Sequence, residues 1–282
     1  MVVRFNKRNN SLVSCTFIVS HDILNNYSSL ELVISTSLKW IYKRGVLMKG
    51  KLYGIGVGPG DSELMTVKAA RIVGEADIII TPKTEKKDGS VALHIAEPYI
   101  QEHTEIVPVV FPMVLDDNEQ SKGWEEARKI IIGLLEDGKK VVFLTLGDPM
   151  FYSTYMYVYR LVESAGFDIE TIPGVTAFCA IGSHLGYPIV EKEEVLAIIP
   201  ATAPKEKIDA VLAVADDAVI MKVYRNFSEV QETLRKHDMA EEAVMISRVG
   251  LPEEEVYRNV DALPSDTKLN YLSTILAKRK DR

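Results

Sequence analysis

Only two cysteines, Cys15 and Cys179, occur in 282 residues, and neither stands in a CxxC pair or beside histidine at metal-ligand spacing. Their scarcity argues against a disulfide scaffold and a zinc site, and speaks for a reducing, cytoplasmic setting. No apolar run reaches the roughly 18 residues that a spanning helix needs, so no membrane partner is expected. Positive charge is not in excess either: 33 Lys and Arg against 40 Asp and Glu leave a formal charge of −7. That excludes a general nucleic-acid binder while leaving room for a local basic patch toward a small anion. Nucleotide signatures also fail. Around Gly54-Ile55-Gly56-Val57-Gly58-Pro59-Gly60-Asp61 a GxGxxG motif would need glycine at 59 or 61, where Pro59 and Asp61 stand, and no Lys-Ser/Thr follows at Walker distance. A non-enzymatic nucleotide-binding protein is thereby disfavoured.

What is present is an ordinary globular composition, 47% hydrophobic and 26% charged, with strands and helices alternating along the chain. Lys51–Val57 reads as a glycine-interrupted strand. Asp61 or Ser62 caps the next helix, whose inner face is expected to be Leu64, Val67, Ala70 and Gly74. A buried strand at Ala76–Thr81 leads to Pro82-Lys83 and the basic loop Thr84–Ser90. A helix follows at Val91–Tyr99, then a strand at Glu105–Val110 and an amphipathic helix over Trp124–Glu136. Alternation of this kind predicts an α/β fold on a mainly parallel sheet. Met1–Leu47 has a different texture, with scattered Asn and Ser and no clear period. It is read either as an appendage or as sequence upstream of a start at Met48, the second being favoured.

The middle of the chain is organised around Lys140-Val141-Val142-Phe143-Leu144, a continuous apolar strand that stops at Gly147-Asp148-Pro149. Ligands of open α/β sheets sit outside the carboxyl ends of strands. Asp148 therefore either presents a carboxylate at the lip of a crevice or only shapes a strand-to-helix turn. The next helix, Thr154–Ser164, carries Tyr155, Tyr157 and Tyr159, an aromatic stripe of the kind usually found in a core. After a strand at Phe167–Ile172, Pro173-Gly174-Val175-Thr176-Ala177 opens another helix. Thr176 is either its N-cap or a ligand contact, because free N–H groups line a helix's first turn. His184 has no evident acid or cysteine partner. Further strands are expected at Val195–Pro200, Ala218–Tyr224 and Ala243–Val249, with antiparallel additions at Glu254–Asn259 and Asn270–Lys278. The implied organisation is an extension over 1–47, an N-terminal α/β domain over 48–165 and a more mixed C-terminal α/β domain over 172–282. The domain boundary is placed near Gly166–Pro173.

Taken together, Gly56-Val57-Gly58-Pro59-Gly60-Asp61 with Leu64-Met65-Thr66, Gly147-Asp148-Pro149 with Tyr152-Ser153, and Pro173-Gly174-Val175-Thr176-Ala177 resemble the tetrapyrrole (precorrin) methyltransferase family from Met48 onward. Thr81-Pro82-Lys83, Met221–Asn226 and Asn270–Leu276 are most similar to its branch that methylates precorrin-2 or cobalt-factor II at C20. The uroporphyrinogen branch usually has a glycine where this chain has Leu146. The resemblance implies a two-domain fold, usually homodimeric, with S-adenosylmethionine in the interdomain cleft, a tetrapyrrole substrate and no protein-bound metal. Carried over by motif, Pro59, Leu146, Gly147, Asp148 and Tyr152 form one side of the cofactor site, and Thr176, Ala177 and Tyr224 the other. The first glycine-rich loop, with Gly58 and Gly60, is expected to border the tetrapyrrole, whose carboxylates call for cations such as Lys83, Arg225 and Arg248. Rival readings are methylation of another ring carbon and a diphthine synthase-like enzyme.

Overall fold

A computed structural model describes residues 49–83, 90–111 and 117–280. The expectations for 1–47 and for most of the basic loop after Lys83 fall outside these residues, as does the Lys83 side chain. Lys49–Arg282 forms one unit carrying two five-stranded sheets. The first is built from β1 (Lys51–Gly56), β2 (Ile78–Lys83), β3 (Glu105–Val110), β4 (Lys140–Thr145) and β5 (Asp168–Ile172). Its order is β3-β2-β4-β1-β5 with every pair parallel. The second comprises β6 (Leu196–Pro200), β7 (Asp217–Met221), β8 (Val244–Ser247), β9 (Glu255–Tyr257) and β10 (Ser273–Lys278) in the order β6-β7-β10-β8-β9. Here only β6 and β7 are parallel; the other pairings are antiparallel. The parallel first sheet and mixed second sheet are the α/β architecture that the alternation predicts.

Successive residues of β4 face opposite sides of the sheet, as strand geometry requires. Val142 and Leu144 pack with Ile55, Ala69, Ile72 and Ile95 beneath α1 (Val67–Gly74) and α2 (Val91–Ala96). Val141 and Phe143 pack with Leu52, Ile131, Leu135 and Tyr155 beneath α3 (Asp117–Glu136) and α4 (Tyr155–Ser164). A strand covered on both sides must read as an unbroken apolar run, and β4 does. The second sheet is covered by α5 (Ala177–Leu185) on one face. On the other lie α6 (Lys205–Leu212) and α7 (Phe227–Lys236).

Several expectations change on folding. Asp61 caps a single 3-10 turn over Ser62–Leu64, and Thr66 caps α1 instead, its hydroxyl accepting from the Ala69 N–H. The helix's inward face is therefore Ala69, Ile72 and Val73, while Val67 is 88% exposed. On α4, Tyr155 is fully buried and Tyr157 is 58% exposed, since a two-residue step turns about 200° around a helix. Asn270–Lys278 supplies an antiparallel strand as expected, but that strand is shorter, Ser273–Lys278, and lies in the middle of the second sheet between β7 and β8. β5 belongs to the first sheet, so the chain leaves that sheet after Ile172.

On the edge strand β5, Glu170 bridges Lys51 (2.5 Å) and Lys68 (2.6 Å). These two ammonium groups hold its carboxyl at about 2, below the ordinary 4.5. A lowered folded-state value gives stability that is complete above the unfolded value and is lost as pH falls through the folded one. Glu170→Gln is therefore expected to lower the melting temperature at pH 7, with the difference from the parent vanishing between about pH 4.5 and pH 2. Thermal melts across that window check it.

Candidate active site

The carboxyl ends of β1, β4 and β5 meet at three turns that approach through bare backbone. Gly58 and Gly147 form a two-bond bridge, the Gly147 N–H donating to Gly58 O at 2.8 Å and the Gly58 N–H to Gly147 O at 3.3 Å. A Cβ on Gly174 would lie 2.1 Å from Gly147 O, and one on Gly56 would lie 2.5 Å from Gly174 N. Only hydrogen fits at this junction. Gly147 serves differently: a Cβ there would meet nothing closer than 3.9 Å, but its φ of +70° is open to few side chains. Asp148 fastens the junction. One carboxylate oxygen accepts from the Gly174 N–H at 3.0 Å and the other from the Met150 N–H at 2.8 Å. The carboxylate thus shapes its own turn and also ties it to the turn that leads into the second sheet.

Next to this junction lies a cavity of about 410 Å³. The first sheet contributes Pro59, Pro82, Phe143–Asp148 and the Phe151–Thr154 turn; the second contributes Met221, Lys222, Arg248, Val249 and Asn270–Thr274. Thr274 pairs with Met221 and Ser273 with Ser247. Because β10 runs antiparallel, its start lies at the same edge as the ends of β7 and β8. The crevice therefore opens at the carboxyl ends of β1, β4, β7 and β8, where ligands of α/β sheets bind.

Of the residues singled out from sequence, Pro59, Leu146, Gly147, Asp148, Tyr152, Thr176, Ala177 and Arg248 line the cavity. Tyr224 does not; its ring packs on Tyr271 at 5.1 Å, and Tyr271 is in the lining. Arg225 stacks on Tyr224 at 5.1 Å and is exposed. Gly58 and Gly60 are buried in backbone packing and do not line the cavity, Gly60 lying against Val249 and Gly250. His184 is not without a partner: its ring meets the Glu254 carboxylate at 3.0 Å, a pairing across the fold that sequence spacing could not reveal.

Two lining hydroxyls are buried and have no hydrogen-bond partner, Thr145 Oγ1 and Thr176 Oγ1. Thr176 occupies the N-cap position of α5 without capping it, so its oxygen and the helix's first N–H groups are left for another partner. Buried polar groups are normally paired, and leaving one unmet costs about 1–3 kcal/mol. Both of these groups lie in the lining of one cavity, where a polar ligand could supply the missing bonds. Burial and the neighbouring Tyr224 push the Tyr271 phenol above its ordinary value. Thr145, Lys222 and Tyr271 had no site role assigned from sequence. The available signal was their position directly at strand ends.

The profile of the tetrapyrrole (corrin/porphyrin) methylases matches residues 51–262. The chain belongs to this family. Its relatives include a cobalt-precorrin-2 C(20)-methyltransferase of Salmonella typhimurium, 37% identical over 83% of this chain and 98% of that protein. A probable cobalt-precorrin-2 C(20)-methyltransferase of Methanocaldococcus jannaschii is 33% identical over 82% of this chain and 97% of its own length. Among solved structures, a cobalt precorrin-4 methyltransferase superposes with a TM-score of 0.67 at 23% identity, covering 83% of this chain and 96% of that one, which shows the fold. This methylase is an S-adenosylmethionine-dependent methyltransferase, and its two unpaired hydroxyls and free helix N-terminus suit such a donor's polar groups.

Two substitutions separate the scaffold from the seat. Gly174→Ala forces a methyl group into the Gly147 carbonyl and is expected to cost about 1–3 kcal/mol or more of stability, read as a lower melting temperature. Thr176→Val removes an unpaired hydroxyl, so the free protein should melt at the same temperature or higher. Its affinity for S-adenosylmethionine should fall by about tenfold, the equivalent of roughly one hydrogen bond. Calorimetry checks the affinity.

Proposed function

We propose that this methylase transfers a methyl group from S-adenosylmethionine to the C20 meso carbon of precorrin-2 or its cobalt form, a step of cobalamin biosynthesis. The observation that carries the reading is the match to the Salmonella enzyme over nearly that protein's whole length. The donor would supply an electrophilic methyl on a cationic sulfur: as the electron-rich meso carbon of the reduced macrocycle bonds the methyl, the sulfur–methyl bond breaks to leave S-adenosylhomocysteine, and the meso carbon then gives up its proton to solvent.

No nucleophilic side chain is needed, so the protein's task is to hold two ligands in line and keep water out. Orientation of this kind lowers a barrier by roughly 7–11 kcal/mol in the best intramolecular cases. Thr145, Thr176 and the first turn of α5 take the donor's polar groups, with Pro59, Leu146, Gly147, Asp148, Tyr152 and Ala177 around it. The Asp148 carboxylate keeps lone pairs beyond its two N–H bonds, and it holds in register the turns that shape the floor. Arg248 fixes its guanidinium through Nε on Pro252 O at 2.8 Å, which leaves other N–H groups for a carboxylate of the macrocycle.

Titration with S-adenosylhomocysteine should give micromolar binding. Anaerobic incubation with precorrin-2 and with its cobalt form should add the mass of one methyl to one of them. A folded sample that binds the donor product and methylates a tetrapyrrole at another carbon would overturn the C20 assignment while keeping the class.

A further inference from the structure

Across the mouth of the cavity, Tyr152 of the first sheet's turn faces Lys222 at the end of β7. The Lys222 ammonium stands 5.2 Å from the centre of the Tyr152 ring, and the Tyr152 phenol reaches the Ile198 carbonyl on β6 at 3.5 Å. Both residues hold left-handed backbones, φ +47° at Tyr152 and +61° at Lys222. Side chains other than glycine, asparagine and aspartate rarely adopt this region, and such residues gather at functional sites. β7 breaks at Lys222, which is why the expected strand through Tyr224 stops at Met221. The left-handed residue sets the lysine at the cavity mouth.

Several lysines elsewhere in the fold meet carboxylates: Lys51 and Lys68 share Glu170, Lys236 meets Asp209, and Lys278 meets Asp217 and Glu194, while Lys49, outside the cavity, lies over the Phe167 ring and donates to the Gly166 carbonyl. Lys222 lines the cavity with an aromatic face as its only partner among the described residues. A ring face attracts a cation but leaves its charge uncancelled. An ammonium held against an aromatic wall, beside a cavity and short of an acid, is complementary to a ligand carboxylate.

We infer that Lys222, steadied by the Tyr152 ring, is a carboxylate anchor of this cleft and a positioning residue for methyl transfer. The inference rests on the methyltransferase reading for its two ligands, each of which carries carboxylates: the aminoacyl group of the donor and the side chains on the macrocycle rim. The half-exposed Tyr152 puts the pair at the open side of the cavity, away from the buried Thr145, and this favours the rim.

Lys222→Met and Lys222→Asn remove the charge, and asparagine also suits the left-handed backbone, so a folded variant is secured. Lys222→Arg keeps the charge. Binding is measured for two unreactive probes, S-adenosylhomocysteine and the octacarboxylate uroporphyrin, at low and high salt. The charge-removing variants are expected to lose at least tenfold in affinity for one probe, to lose the wild-type salt dependence for it, and to melt within two degrees of the parent. Arginine should restore most of the affinity. Loss for uroporphyrin assigns the anchor to the macrocycle, and loss for S-adenosylhomocysteine assigns it to the donor. Affinities within twofold of wild type for both probes would overturn the inference. So would equal losses for both that follow a drop in melting temperature and are not restored by arginine. These outcomes do not depend on turnover: wild-type protein that binds both probes without methylating precorrin-2 would remove the C20 reading and leave the anchor standing.

Discussion

The structure turns on one close contact, the meeting of Gly56, Gly147 and Gly174 with the Asp148 carboxylate bonded to the Gly174 N–H. Three backbone segments approach more closely there than any side chain permits, and one carboxylate keeps two of the turns in register. The floor of the cleft follows from this. With the junction closed, Leu146 and Asp148 face the cavity from one side, and Thr176 and Ala177 from the turn just beyond it. The chain that passes through Gly174 goes on to build the second sheet, so one contact both ends the first sheet and begins the opposing wall.

The same economy governs polarity. Some buried oxygens are met: the Tyr155 hydroxyl bonds Thr171 at 2.7 Å, and Ser247 bonds Ser273 at 2.6 Å, whereas Asp217 Oδ2 on β7 has no hydrogen-bond partner. On the cavity wall the Thr145 and Thr176 hydroxyls are also unmet. Stability alone would replace these hydroxyls with methyl groups, because an unmet buried donor or acceptor weakens the free protein. Their placement makes sense through a ligand that completes them, and the same holds for a lysine resting on a ring in place of an acid.

Much of this was legible before folding. The uninterrupted apolar run of β4 announced a doubly covered strand, and Gly-Asp-Pro at its end announced a crevice; both stand where expected. The inner face of α1 was misread because Asp61 and Thr66 both make good caps, and sequence does not show that a 3-10 turn uses the first. The pairing of His184 with Glu254 and the place of β10 between β7 and β8 depend on contacts between distant segments, which leave no local period.

By itself, the sequence determined the class of the molecule: period-two and period-3.6 patterns fix strands and helices, and three glycine-rich turns in fixed order carry the family resemblance. Only the tertiary structure decided which residues share the cleft. Gly58 and Gly60, singled out beside Pro59, turn inward to backbone packing, while Lys222 and Thr145 come to the surface of the cavity. The reason is physical. A motif specifies local geometry, but a site is made by side chains from both sheets converging, and convergence is set by register, by the hand of single residues such as Lys222, and by how closely glycine lets two backbones approach.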